Sequence, residues 1–155
     1  MGGAVIQQTM TVSFLSQLLE GVHDFRPLGG DTFKIALYGE NANLNGATTA
    51  YSSTNEISAS GYTAGGATLT CLTPASAALT GYVNFDTVSW SGSGISARGA
   101  LIYNTTPAHT YTNPSVIVLD FGMLRYATAA GLFEITFPTN SSTQALIRLN
   151  AGTQT

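Results

Sequence analysis

The stretch Ile95–Phe121 reads ISARGALIYN (95–104), a polar loop TTPAHTYTNP (105–114) and SVIVLDF (115–121). Each end is a near-continuous apolar run, too short for a typical helix and bounded by Gly, Pro and Asn. Runs of that kind are strands covered on both faces. Strict alternation along the first strand puts Ile95, Ala97, Gly99, Leu101 and Tyr103 on one face, with Ser96, Arg98, Ala100 and Ile102 on the other. On the second, Val116 and Val118 oppose Ile117, Leu119 and Phe121. The pair is expected to form the antiparallel centre of a two-layer β domain.

Working outward, further short apolar runs separated by turn residues fall at 31–38, 67–72, 81–85, 86–90, 132–137 and 145–149. Eight or so short strands with no repeat and no linker predict one all-β domain. Its expected form is an antiparallel two-layer sandwich, jelly-roll or immunoglobulin-like. One segment breaks the pattern. In TVSFLSQLLEGVHDF (11–25), Phe14, Leu15, Leu18, Leu19 and Val22 recur at helical spacing. Thr11 or Ser13 suits its N-cap, and Gly21 or Arg26-Pro27 its end. A single short N-terminal helix is therefore expected. The boundaries that follow are a flexible arm at 1–10, the helix and sandwich at 11–149, and a fraying tail at 150–155. The stretch 39–66 is long, polar and almost without apolar period, which inside a compact domain suggests a role of its own.

Composition narrows function mainly by exclusion. Of 155 residues 44% are hydrophobic, which favours a folded domain, yet only 8% are charged against a usual share of about 25%. Lys34 is the sole lysine, so Ser, Thr, Asn, Gly and Ala must build the surface. A surface so poor in charge suits a subunit packed against neighbours. Net charge is −3 with no basic run, so no nucleic-acid partner is expected. No apolar run approaches the roughly 18 residues of a membrane span, and the first residues have no export-signal pattern. Cys71 is the lone cysteine, expected as a small buried apolar residue, and Trp90 the lone tryptophan, expected as a core anchor.

Catalytic motifs are sparse. His23-Asp24 has one other histidine to work with, His109, too few for a metal site of the phosphohydrolase kind. Asp120-Phe121-Gly122 matches the kinase magnesium motif by letters alone, without the partner motifs. Gly29-Gly30-Asp31-Thr32 lacks the spacing and lysine of a phosphate loop. No histidine sits where a serine triad needs one, while sequence spacing leaves paired carboxylates open. The expectation is a non-enzyme with no catalytic, cofactor-binding or metal-binding residues and no cofactor.

Taken together, SFLSQLLEGVHDF (13–25), GDTFKIALY (30–38), TTAYSSTNEISASGYTAGGATLT (48–70), ISARGALIYN, VIVLDFG (116–122) and FEITFPTN…ALIRL (133–149) resemble small virion proteins of tailed bacteriophages. The nearest role is that of a capsid cement or decoration protein on an HK97-type shell. The resemblance implies a β-rich fold, a place on the outer surface of the capsid and the major capsid protein as partner. It carries no catalytic residues. A tail or neck component and a virion-exposed carbohydrate-binding sandwich are the alternatives. A homo-oligomer, dimer or trimer, is expected for such a subunit. Its contacts are expected at Val5 and Ile6 of the arm, at Phe14 if the helix docks on a partner, and at Tyr51 and Tyr62 of the long loop.

Overall fold

In a computed structural model, which describes residues 3–152, the chain is an all-β, antiparallel two-layer sandwich with one short N-terminal helix. One layer is a five-stranded sheet ordered β1 (Thr9–Met10), β8 (Ser115–Tyr126), β7 (Ser96–Asn104), β2 (Phe33–Tyr38), β3 (Ala67–Leu69). Facing it are a three-stranded sheet, β10 (Ile147–Asn150), β5 (Thr80–Val83) and β4 (Ala75–Ala77), and the pair β6 (Val88–Ser91) and β9 (Leu132–Ile135). The predicted hairpin β7–β8 lies inside the large sheet, with β2 on its far side. Between the layers Phe33, Ile35, Leu37, Ile102, Ile117 and Leu119 meet Val83, Trp90, Phe133 and Ile147 in one core. Trp90 (7% exposed) and Cys71 (7%) are both buried there, as their sizes and polarity suggest.

Strict alternation fails at two bulges. Ala97 pairs with Arg125 but Gly99 with Asp120, so the β8 strand bulges out by several residues around Gly122, whose φ is +77°. A bulge shifts the parity of everything beyond it. Ile95 and Ala97 face the main core before it, Ala100 and Ile102 after it, while Leu101 and Tyr103 turn to the other face. The expected set Ile95, Ala97, Leu101 and Tyr103 is thus split between the two faces. A second shift between Ile102 and Tyr103 leaves Val116 as the extra residue, and it joins Ile117 and Leu119 in the main core rather than opposing them.

The outer face of the large sheet is apolar too, and two segments without obvious periodicity cover it. Ile6, Ala42 and Leu44 pack on Ala36, Tyr38, Leu101, Tyr103 and Val118 as a second, smaller core, with Tyr51 against it. The arm expected to be free is therefore part of the fold. Ile6 bridges Leu44 in parallel, Gln7 and Leu44 exchange backbone bonds of 2.9 Å with Leu44 and Val5, and Thr9–Met10 pair with Val118 and Ile117. The cover takes Leu101, Tyr103 and Val118 out of water, worth about 25 cal/mol for each Å² of apolar surface covered. The loop 39–66 likewise has a core after all. At the other terminus Asn150 pairs with Thr80, so the sheet extends into the tail, whose residues 153–155 lie outside the described ones.

The helix α1 (Val12–Leu19) starts after Thr11, whose backbone is extended but whose hydroxyl is engaged with Ser115 and makes no cap bond. It ends in a Schellman motif: Gly21 N–H donates to Leu18 O (3.2 Å) and Val22 N–H to Gln17 O (3.0 Å), with Gly21 at φ +72°. Phe14 and Gln17 are buried, whereas Leu15 and Leu19 of the expected apolar stripe are exposed. Val22 still reaches the core, but from beyond the turn.

Candidate interaction surface

Tyr51 and Tyr62, expected at a partner, instead fasten the long loop to the sheet. Both phenols donate to the Glu56 carboxylate, at 2.7 and 2.5 Å, and Gly65 N–H donates to the same group at 2.7 Å. The Tyr62 oxygen also accepts the Leu37 amide at 2.9 Å, and the Tyr51 ring stacks on Tyr103 with centroids 4.6 Å apart. Burial and the neighbouring carboxylate push the phenols of Tyr51 and Tyr62 far above their ordinary range, and that of Tyr103 up to about 12. The tract around these residues needs its glycines. Gly66 sits at φ +78°, where a side chain would run into the Ile35 carbonyl. A signal for this clamp was present in the sequence: one acid, Glu56, between two tyrosines in a stretch, 51–62, otherwise free of charge.

Phe14 and Ile6 are buried within the chain. Phe14 is fully buried, 5.1 Å from the His23 ring and 6.0 Å from Phe25, and Ile6 is 6% exposed. Of the five expected contact residues only Val5, 52% exposed, stands free. His23 is held in a polar chain at the helix end. Its Nε2–H donates to Gln17 Oε1 (2.8 Å), while Nδ1 accepts from Asn104 Nδ2 (3.1 Å), which also donates to Asp31 (2.7 Å). That pattern requires the neutral ring, and burial lowers its pKa to about 4. His109 lies on the surface against the Glu20 carbonyl. Burial raises the Cys71 thiol to about 11, the state of an unreactive apolar residue. Among the described residues no three His, Cys, Asp or Glu side chains come together as metal ligands, and no helix is long and apolar enough to cross a membrane.

What the surface does offer is three features: two without charged side chains, and a groove that Asp120, Arg125 and Glu134 help to line. The first is a ridge on α1, where Val12 (68% exposed), Leu15 (43%) and Leu19 (92%) sit at i, i+3 and i+7 on one side. The second is an open groove of about 580 Å³ where the outer half of β8 and the strand β9 part, floored by Leu119, Phe121, Phe133, Phe137 and Leu146. The third is a cup of about 460 Å³ in the layer formed by the loop over the outer face, lined by uncharged residues including Asn43, Thr49, Ser52 and Asn55. The ridge escaped the sequence-based expectation because apolar helical spacing ordinarily marks the buried side. The buried polar Gln17, bonded to His23, turns the helix away from that arrangement. Comparison with models of protein families, with curated proteins and with solved structures finds no match to this chain.

Proposed function

We propose that the chain is a non-enzymatic structural protein of a tailed-phage virion, a cement or decoration protein that binds the outside of the capsid and stabilises contacts between major capsid proteins. The observation that carries the proposal is the layer on the outer face of the large sheet. The arm and the loop, far apart in sequence, form there one surface with Glu40 as its exposed charge, with Val5 exposed and an uncharged cup. Such a face suits another protein's polar, uncharged surface: it imposes little desolvation of charge and offers many amide and hydroxyl partners. Each contact made across a capsomer boundary would favour the assembled shell over separated subunits by mass action. A pre-formed layer also loses less chain entropy on binding than a free arm would.

The tail or neck alternative uses the same face and differs only in location. A glycan-binding role has weaker support. The exposed aromatics among the described residues are Tyr111 and Tyr126, near opposite ends of β8, and the aromatic ring at the cup belongs to Tyr38, itself 1% exposed. Neither arrangement gives a sugar a stacking platform. The test is co-sedimentation with unexpanded and expanded empty shells, comparing the natural chain with Val5→Glu and Thr49→Arg, both at exposed positions. Loss of binding by these variants is expected. Undiminished binding by both would reject this face, and recovery of the protein from tails but not heads would reject the cement role.

A further inference from the structure

We propose that a second copy of this chain seats its α1 ridge in the β8–β9 groove, so that copies associate head to tail. The two features are complementary in shape and chemistry: a projecting apolar edge of Val12, Leu15 and Leu19, and an open trough floored by Phe121, Phe133 and Phe137. They cannot satisfy each other within one molecule. The helix starts where Thr11 N–H bonds Val116 O and ends against His109 and Tyr111, both ahead of the first residue of β8. The groove occupies the other half of that strand, from Leu119 to Tyr126.

Area argues for this occupant over a symmetric helix pair. An eight-residue helix is only about 12 Å long. Two convex ridges of that length fall short of the roughly 600 Å² per partner that a stable interface needs. A ridge laid in a groove touches two walls as well as the floor, and brings the rim into contact. Charge sets the direction. The helix itself carries no charged side chain, but the next residue, Glu20, is exposed and acidic. Arg125 on the groove rim is exposed and has no carboxylate within 4.0 Å among the described residues. Asp120 and Glu134 also line the groove, Asp120 paired with Arg98. Arg125 is the one cation of its lining among the described residues, so seating the ridge with its C-terminal end toward Arg125 pairs Glu20 with it. Because the surfaces in contact differ, the association closes into a ring or continues as a chain according to the rotation between copies.

The proposal stands whether or not the chain binds a shell, and its test uses the chain alone. Sedimentation velocity over a wide concentration range should show self-association of the natural protein. Leu19→Glu on the ridge and Thr136→Arg in the groove should each weaken it by at least about tenfold, since each puts a charge in an apolar contact. Both positions are exposed, and circular dichroism should confirm an unchanged fold. Glu20→Arg and Arg125→Glu should each weaken association, and the two together restore it. Leu19→Cys copies mixed with Thr136→Cys copies should form a disulfide-linked heterodimer. A monomer at every concentration would overturn the proposal, as would association unchanged by Leu19→Glu and Thr136→Arg. Leu19→Cys copies linking efficiently to one another would replace it with a symmetric helix pair, and no rescue by the double charge reversal would reject the Glu20–Arg125 orientation.

Discussion

Val5 and Ile6 are neighbours in the arm, and truncating each to alanine should have opposite consequences. Ile6 is 6% exposed and lies on the second core, close enough to Gly99 that a Cβ there would sit 2.8 Å from its Cγ2. Ile6→Ala removes three buried carbons, about 0.8 kcal/mol each in lost transfer energy, and leaves a partly collapsible cavity over Leu101 and Val118. The expected loss is about 3 kcal/mol. Val5 is 52% exposed, so Val5→Ala should stay within about 0.5 kcal/mol of the natural protein. The assay is urea unfolding followed by tryptophan fluorescence, since Trp90 lies in the main core. With a slope of about 1.5 kcal/mol per molar urea, Ile6→Ala should lower the midpoint by about 2 M without changing the slope. Equal, small effects of the two substitutions would show that the arm is not part of the folded unit and would refute its role as cover for the sheet.

Four further outcomes follow from the geometry. Glu56→Gln should cost about 2 kcal/mol, because three donors lose a charged acceptor, and should speed amide exchange across residues 39–66; unchanged exchange there would contradict the clamp. The phenols held above their ordinary value favour the folded state below about pH 10, and that contribution is lost as pH rises from there through the folded value, about 12 for Tyr103. Alkaline melting curves should show this loss, reduced in Tyr103→Phe. His23 runs the other way, with a folded pKa near 4 below its unfolded 6.5, so its contribution is full above pH 6.5 and is lost as pH falls toward 4. Replacing His23 with Gln should lower stability at pH 7 yet flatten the melting temperature across that window; an unchanged slope would place the acid sensitivity elsewhere. Leu101→Asp should abolish soluble folding, as Leu101 is fully buried, whereas Arg98→Ala should cost about 1 kcal/mol by breaking the partly buried pair with Asp120.

How far the chain is legible without coordinates depends on whether a contact repeats. The β7–β8 hairpin, most of the strands between turn residues and the single helix rest on apolar runs or helical spacing and were readable, whereas the order of strands in each sheet was not. The bulges around Gly122 and at Val116 were not, because the paired runs are apolar on both faces and lose no contrast when parity flips. Ala42 and Leu44 were not, since two apolar residues inside a polar tract make no period. Tyr51 and Tyr62 were singled out as partner contacts; within the chain their phenols bond Glu56, a few positions away, a pairing the sequence reading did not draw.

The decisive clue was nevertheless in the opening stretch. ISARGALIYN and SVIVLDF have no polar face at all, and a sheet that is apolar on both sides needs two covers. The short strands β4, β5, β6, β9 and β10 supply only one of them. Something without strand periodicity had to supply the second, and only the arm and the residues 39–66 remained. The same accounting applies to what is still uncovered. Leu19 at 92% exposure and the apolar floor between β8 and β9 are surfaces that one copy of the chain leaves open, at opposite ends of the strand that carries the whole large sheet. A protein with so few charges has little else to keep such surfaces in water, which is why we propose that a second copy covers them.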